Sequence, residues 1–206
     1  MAQPFRILVV CTANVCRSPL AERLLAAYFS EARQEGRLKR DQIVLRSEGS
    51  DAEPGQPMCP EASRWFGVNP NLHHSRALSL PSVRTSQLIV GLSRTHRAAC
   101  ARLDPACRPR LFTLLQAAAL SNSVARLVAE ETLPEGAPNL PPAGFERLVW
   151  LVTEMDAARG TLDEATALND EIADEHGAWD HSATFEAVQS ASWRLAKSMI
   201  TVLNAP

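Results

Sequence analysis

Cys11 and Arg17 have five residues between them in the string Val10-Cys11-Thr12-Ala13-Asn14-Val15-Cys16-Arg17-Ser18-Pro19. A thiol and a guanidinium at that spacing are the parts needed to hold and attack a phosphoryl group. A loop of this length can wrap a tetrahedral oxyanion with successive backbone N–H groups turned inward, at the positive end of a following helix. The same N–H groups, the helix terminus and Arg17 would favour the thiolate form of Cys11 and so make it a nucleophile. Arg17 offers a planar fork that matches two phosphoryl oxygens and stays charged, which lysine does less well. Ser18 could donate a hydrogen bond to the Cys11 sulfur, and Asn14 is a residue type that tolerates a left-handed backbone. A lone match to this spacing arises by chance in many chains, and a cysteine beside a strand is commonly a packing residue. The company of Asn14, Cys16, Ser18 and Pro19 sets this match apart.

The elements on either side are what such a loop requires. Phe5 to Val10 is an apolar run broken only by Arg6, the pattern of a buried parallel strand. Ser18-Pro19 supplies a helix start, and Leu20, Leu24 and Tyr28 recur at a spacing of four. Further strands are expected at Ile43 to Leu45, Leu88 to Leu92 and Arg110 to Phe112. Helices are expected from about Pro57 to Phe66, Thr95 to Leu103, Thr113 to Leu120, Ser121 to Glu131 and Phe145 to Ala158. A C-terminal helix follows, with Phe185, Val188, Leu195 and Met199 on one face. Pro134, Pro138, Pro141 and Pro142 mark Thr132 to Gly144 as a surface loop. The alternation predicts an α/β, three-layer fold: a central four-stranded parallel sheet flanked by helices, with the phosphate-binding loop after the first strand.

A chain of 206 residues is read as a single domain over 1–206, with a helical and Pro-rich insertion around 121–144. Apolar residues at 46% and charged residues at 21% describe an ordinary globular chain. A net charge of −2 gives no pull toward nucleic acid or an anionic membrane. No stretch near the N-terminus is long and apolar enough to span a bilayer or act as a signal sequence, so a cytoplasmic protein is expected. Five cysteines, an odd number, argue for free thiols rather than a disulfide framework. The five histidines form no cluster that would complete a zinc site, so neither metal nor cofactor is expected.

The loop resembles the N-terminal signature V-C-x-G-N-x-C-R-S-P of the low-molecular-weight protein tyrosine phosphatases, departing from it at Ala13, where the family has glycine. The resemblance continues in Ser47-Glu48-Gly49, which looks like the family's S-A-G turn, and in His74-Ser75-Arg76, the strand Leu88 to Leu92 and His96. It implies hydrolysis of phosphate monoesters, of protein phosphotyrosine or a related phosphoester, through a phosphocysteine on Cys11. Arg17 would bind the phosphoryl group, the loop residues Thr12, Ala13, Asn14, Val15, Cys16 and Ser18 would hold its oxygens, and Ser47 would support the loop through Asn14. Partners would be a phosphorylated protein or a small phosphoester.

The family's general acid comes from an I-x-D-P motif before the last helix; here Ile172-Ala173-Asp174-Glu175 is similar and points to Asp174, with glutamate in place of proline. Asp180 is the alternative, and a solvated acidic stretch is the plainest reading of Asp170, Glu171, Asp174 and Glu175. Where family members wall the cleft with aromatic residues, this chain has Ser50, Asp51 and Glu53 on one side and His176, or Trp179, on the other. The cysteine matching Cys16 can form a reversible disulfide with the nucleophile in that family. Thioredoxin-coupled arsenate reductases share the loop, but their first relay cysteine is matched here by Ser93, with only Cys100 in place of the second. A non-catalytic phosphate-binding module with a degenerate acid loop is the remaining alternative.

Overall fold

The computed structural model describes residues 3–39, 42–133, 139–142, 144–162, 170–174 and 181–206. Strands β1 (Phe5–Cys11), β2 (Ile43–Gly49), β3 (Leu88–Gly91) and β4 (Leu111–Thr113) form one parallel sheet in the order β2-β1-β3-β4. Helices α1 (Arg17–Gln34), α2 (Pro60–Phe66), α3 (Leu80–Thr85), α4 (Arg94–Leu103), α5 (Leu114–Ala129), α6 (Phe145–Ala157) and α7 (Ser182–Leu203) surround it.

Side chains alternate across a strand, so β1 feeds two cores. Phe5, Ile7 and Val9 pack with Leu25 and Phe29 of α1, Ala117 of α5, Leu148 of α6 and Leu195 of α7. Leu8 and Val10 point the other way, toward Val83 of α3, Cys100 of α4, Ile89 and Leu111. That is the three-layer arrangement, and it explains why β1 is an unbroken apolar run rather than an alternating one. Each such side chain contributes roughly 1.5–3 kcal/mol by leaving water. Strand β1 is central: the chain passes from it to β2 on one side and reaches β3 on the other. The crevice outside the carboxyl ends of β1 and β3 is where the strand order reverses, the usual place for a ligand in such sheets. Cys11 is the last residue of β1.

Three elements differ from the sequence expectation. The helix expected from about Pro57 starts at Pro60, because the Met58 N–H is held by the Pro70 carbonyl at 3.1 Å and the Cys59 N–H by that of Val15 at 2.7 Å, which keeps both residues out of the helix. The two helices expected on either side of Ser121 are one, α5; Ser121 is fully buried and its hydroxyl donates to the Ala118 carbonyl, so it does not interrupt the turn. Helix α3 was not expected at all, although Ser79 accepts from Ser82 N–H and Pro81 sits in the first turn. The buried Glu48 carboxylate ties α3 down by accepting from Ser79 N–H at 2.9 Å and the Ser82 hydroxyl at 2.6 Å. Of the Pro-rich loop, residues 134–138 and 143 lie outside the described residues.

Candidate active site

The loop between β1 and α1 is held from outside by its carbonyl groups. Ser50 N–H donates to Cys11 O at 2.9 Å, Asp51 N–H to Thr12 O at 3.0 Å, and Cys59 N–H to Val15 O at 2.7 Å, while His73 Nε2 bonds Asn14 O at 2.6 Å. In a trans peptide the carbonyl of one residue and the N–H of the next point in opposite directions, and the described residues contain no cis bond. With four carbonyls turned outward, the N–H groups of Thr12, Ala13, Val15 and Cys16 turn to the inner side of the curve. The arrangement requires a left-handed residue in the middle, and Asn14 adopts it with φ of 56°. It also requires a residue without a side chain on β2: a Cβ on Gly49 would collide with Thr12 O and lie 2.9 Å from Asn14 N. That role for the third residue of Ser47-Glu48-Gly49 is legible only once the loop is in place.

A hydrogen-bond chain fixes the nucleophile candidate. Asn14 Oδ1 accepts from Arg76 N–H at 2.8 Å, which orients the amide so that Nδ2 donates to Ser18 Oγ and Ser47 Oγ, both at 2.9 Å. The Ser47 hydroxyl in turn donates a hydrogen bond to the Glu22 carboxylate. Ser18 Oγ, already accepting from Asn14, has its hydroxyl proton left for the Cys11 sulfur 2.9 Å away. Cys11, Asn14, Ser18 and Ser47 are all buried, so these bonds are shielded from water. Glu22 and His73 belong to this support and were missed in the sequence, and Arg76, noted there only within His74-Ser75-Arg76, joins it through its N–H; nothing local connects the three to residue 14.

Arg17, the first residue of α1, is buried; one guanidinium nitrogen donates to the Ile172 carbonyl at 3.1 Å and the other to the Asp174 carboxylate. The structure therefore brings Asp174 to the loop. The segment that carries it is anchored: Ile172 N–H donates to Leu92 O at 3.0 Å, beyond the end of β3, and Thr184 Oγ1 donates to Ala173 O at 3.2 Å. Asp170 is not a solvated surface acid but 1% exposed, bonded to Arg94 Nε at 2.7 Å and Gln116 Nε2 at 2.5 Å. Glu171 is exposed and caps α4 by accepting from Arg94 N–H at 2.6 Å. Glu175, His176, Trp179 and Asp180 lie outside the described residues.

On the rim, Ser50, Asp51 and Glu53 are exposed. Near Ala173 the exposed Trp65 of α2 leans on the buried Phe185 of α7 at 5.6 Å, and His181 stacks on the same ring at 5.5 Å, a cluster not read from the sequence. Ser93, at the arsenate-reductase relay position, bonds Thr95 and His96, while Cys100 is wholly buried. All five cysteines are unbridged, and no group of three or more metal-ligating side chains occurs among the described residues. No helix there is long and apolar enough to cross a membrane.

His96 supports the loop from α4. Its Nε2 bonds Thr12 Oγ1 at 3.0 Å and its Nδ1 bonds Ser93 Oγ at 2.8 Å. Burial, followed by the charge of Arg17, lowers its pKa from 6.5 to about 4, against the opposing pull of Asp174 and Glu171. The unfolded chain therefore binds this proton at higher pH than the folded one, so the contribution is complete above about pH 6.5 and is lost as pH falls toward 4. The loss amounts to at most roughly 3 kcal/mol at 1.36 kcal/mol per unit. Urea midpoints of the wild type and His96→Gln, compared at pH 7, 5.5 and 4.5, should converge as the pH falls. A constant gap would refute the assignment.

The profile of the low molecular weight phosphotyrosine protein phosphatase family matches residues 6–125. The low molecular weight protein-tyrosine-phosphatase Wzb of Salmonella typhi is 30% identical over 110 residues, which cover 52% of this chain and 66% of that protein. The protein-arginine-phosphatase of Bacillus subtilis is 32% identical over 110 residues, 52% of this chain and 69% of that one. Among solved structures, YfkJ from Bacillus subtilis superposes with a TM-score of 0.62 at 14% identity, covering 96% of this chain and 95% of that one. The YwlE arginine phosphatase from Geobacillus stearothermophilus gives 0.57 at 20% identity, covering 94% and 92%. At these identities the structural likeness establishes the fold.

Proposed function

The chain belongs to the low molecular weight phosphotyrosine protein phosphatase family, and we propose that it hydrolyses protein phosphotyrosine or a related phosphoester through a phosphocysteine on Cys11. The observation that carries this reading is the loop itself: a buried thiol facing the Ser18 hydroxyl, under peptide N–H groups turned inward, with Arg17 beside it. Cys11 attacks phosphorus as a thiolate, the phosphorus–oxygen bond to the leaving group breaks, and Asp174 donates the proton that the departing oxygen needs. Water then attacks the phosphocysteine, returns a proton to Asp174, and releases phosphate and the Cys11 thiolate, which Ser18 receives with its hydroxyl. Thr12, Ala13, Val15 and Cys16 hold the equatorial oxygens through their N–H groups, Arg17 spans two of them, and Asn14 and Ser47 keep the loop closed.

Exposed Asp51 and Glu53 at the rim favour a basic or small substrate over an acidic phosphopeptide. Relatives are named for phosphatases of tyrosine and of arginine. Five free thiols suit a reducing compartment, the cytoplasm.

The test is p-nitrophenyl phosphate hydrolysis under reducing conditions without added metal, with methanol as a competing acceptor. Turnover with methyl phosphate among the products supports a phosphoenzyme. Phosphate binding without turnover would leave the binding module as the better reading. If Asp174 is the acid, Asp174→Asn should lose about 10²–10⁴-fold in kcat on an alkyl or phenyl phosphate but far less on p-nitrophenyl phosphate, whose leaving group needs little help. Equal losses on both substrates would remove Asp174 from that role.

A further inference from the structure

Helix α4 carries Arg94, Arg97, Ala98 and Ala101 on one face, at the spacing of successive turns. That face borders a cleft of about 600 Å³. Arg108, from the turn Pro105–Arg110 that follows α4, and Leu111 of β4 border it too, as do Asp156 of α6 and Arg159 just beyond that helix. Among the described residues, none of the Cys11 loop reaches it.

Four guanidinium groups share two carboxylates in this cleft. Asp170, 1% exposed, serves two of them, with Arg94 Nε at 2.7 Å and one terminal nitrogen of Arg97 at 3.8 Å. That nitrogen of Arg97 also donates to Gln116 Oε1 at 3.0 Å, but Arg97 Nε is buried and has no hydrogen-bond partner among the described residues. Such atoms nearly always have one. Asp156 is taken by Arg159 Nε at 2.6 Å, and Arg159 also donates to the carbonyls of Arg108 and Leu111 at 3.0 and 2.8 Å. The exposed Arg108 side chain makes no hydrogen bond or ion pair among the described residues. Burial, followed by the charge of Arg159, holds the Arg97 guanidinium below its ordinary pKa, against the opposing pull of Asp170.

We propose that this cleft is an anion site, separate from the Cys11 loop, which binds the polyphosphate group of a small molecule through Arg97 and Arg108. The arginine fork matches phosphoryl oxygens in pairs. The cationic side chains arrive from three elements, so a ligand with several linked phosphoryl groups meets them together where a single phosphate does not. The volume agrees, since it falls within the range of about 300–1,000 Å³ typical of small-molecule sites and is far larger than one phosphate needs. An inorganic polyphosphate and a nucleoside triphosphate present the same group. Only the second would also use the apolar side chains of Ala98, Ala101 and Leu111, as a seat for its base.

Tripolyphosphate and ATP, each free of metal, are titrated into the protein by calorimetry at about 0.15 M salt, where loose surface attraction is screened. Arg17→Ala serves as the second background, because it disables the phosphate loop and leaves the cleft untouched. The expected result is one molecule per chain that still binds Arg17→Ala with a Kd below about 1 mM. Arg108→Glu should weaken that binding on the order of tenfold or more, and Arg108→Lys, which keeps the charge, should weaken it less. Arg97→Lys should weaken it as well, since the ammonium can stay beside Asp170 but offers no fork. ATP binding more tightly than tripolyphosphate would assign the site to a nucleotide, and equal or weaker binding to the inorganic chain. Loss of all binding in Arg17→Ala, or binding there that neither Arg108→Glu nor Arg97→Lys changes, overturns the proposal. None of these readouts depends on turnover.

Discussion

Cys11→Ser should lower kcat for p-nitrophenyl phosphate on the order of 10⁴-fold while phosphate affinity stays within about threefold. The two readouts separate because different groups carry them. A serine hydroxyl in place of the thiol remains protonated at neutral pH, and Ser18, the one side chain bonded to that of residue 11 among the described residues, is itself an alcohol that cannot serve as base. The oxyanion cradle does not involve the thiol: the carbonyl groups of Cys11, Thr12, Asn14 and Val15 keep their outside donors, and Arg17 keeps its charge. Steady-state kinetics and phosphate titration by calorimetry measure the two quantities. A kcat within tenfold of wild type would remove Cys11 from the nucleophile's role.

Arg17→Lys should cost about 10²–10³-fold in kcat/KM, although the charge is conserved. Arg17 is 5% exposed and uses two nitrogens of its fork at once, on the Ile172 carbonyl and on Asp174. An ammonium is a single point and cannot keep both contacts, nor span two phosphoryl oxygens. The substitution should therefore loosen the segment that carries Asp174 as well as the proposed anion site, and vanadate should lose more affinity than phosphate, since it resembles the trigonal-bipyramidal arrangement that the fork would span. A kcat/KM within fivefold of wild type would mean that the N–H groups alone carry the oxyanion.

What the sequence disclosed follows a physical division. Cys11, Asn14, Arg17 and Ser18 lie in one short loop, and their relation depends on local backbone geometry that spacing encodes. The three-layer sheet was legible because β1 needs apolar residues on both faces. The resemblance to a family directed attention to Ser47 and Asp174, at sequence separations of 33 and 157 from their partners Asn14 and Arg17. Contacts such as His96 to Thr12, His73 to Asn14 and Cys59 to Val15 depend on how α2 and α4 settle against the sheet, and no local pattern reports that. The burial of Asp170 was hidden for the same reason: an acidic run looks solvated until Arg94 and Gln116 are packed over one member of it. Helix α3 was missed through its brevity, six residues held by a cap and by Glu48 rather than by a hydrophobic stripe.

If Arg17 binds the phosphoryl group as proposed, its ion pair with Asp174 gives the site its own counter-ion. Entry of a phosphate dianion and departure of the carboxylate are then a single exchange, and so, in reverse, are product loss and carboxylate return. Half of the Asp174 side chain already faces solvent, so the exchange needs only a side-chain swing. Inorganic phosphate has to displace a tethered competitor whose local concentration never dilutes, which weakens retention of the product far more than it hinders a substrate held by additional contacts. A site of that kind would be buffered against the accumulation of the very anion it releases.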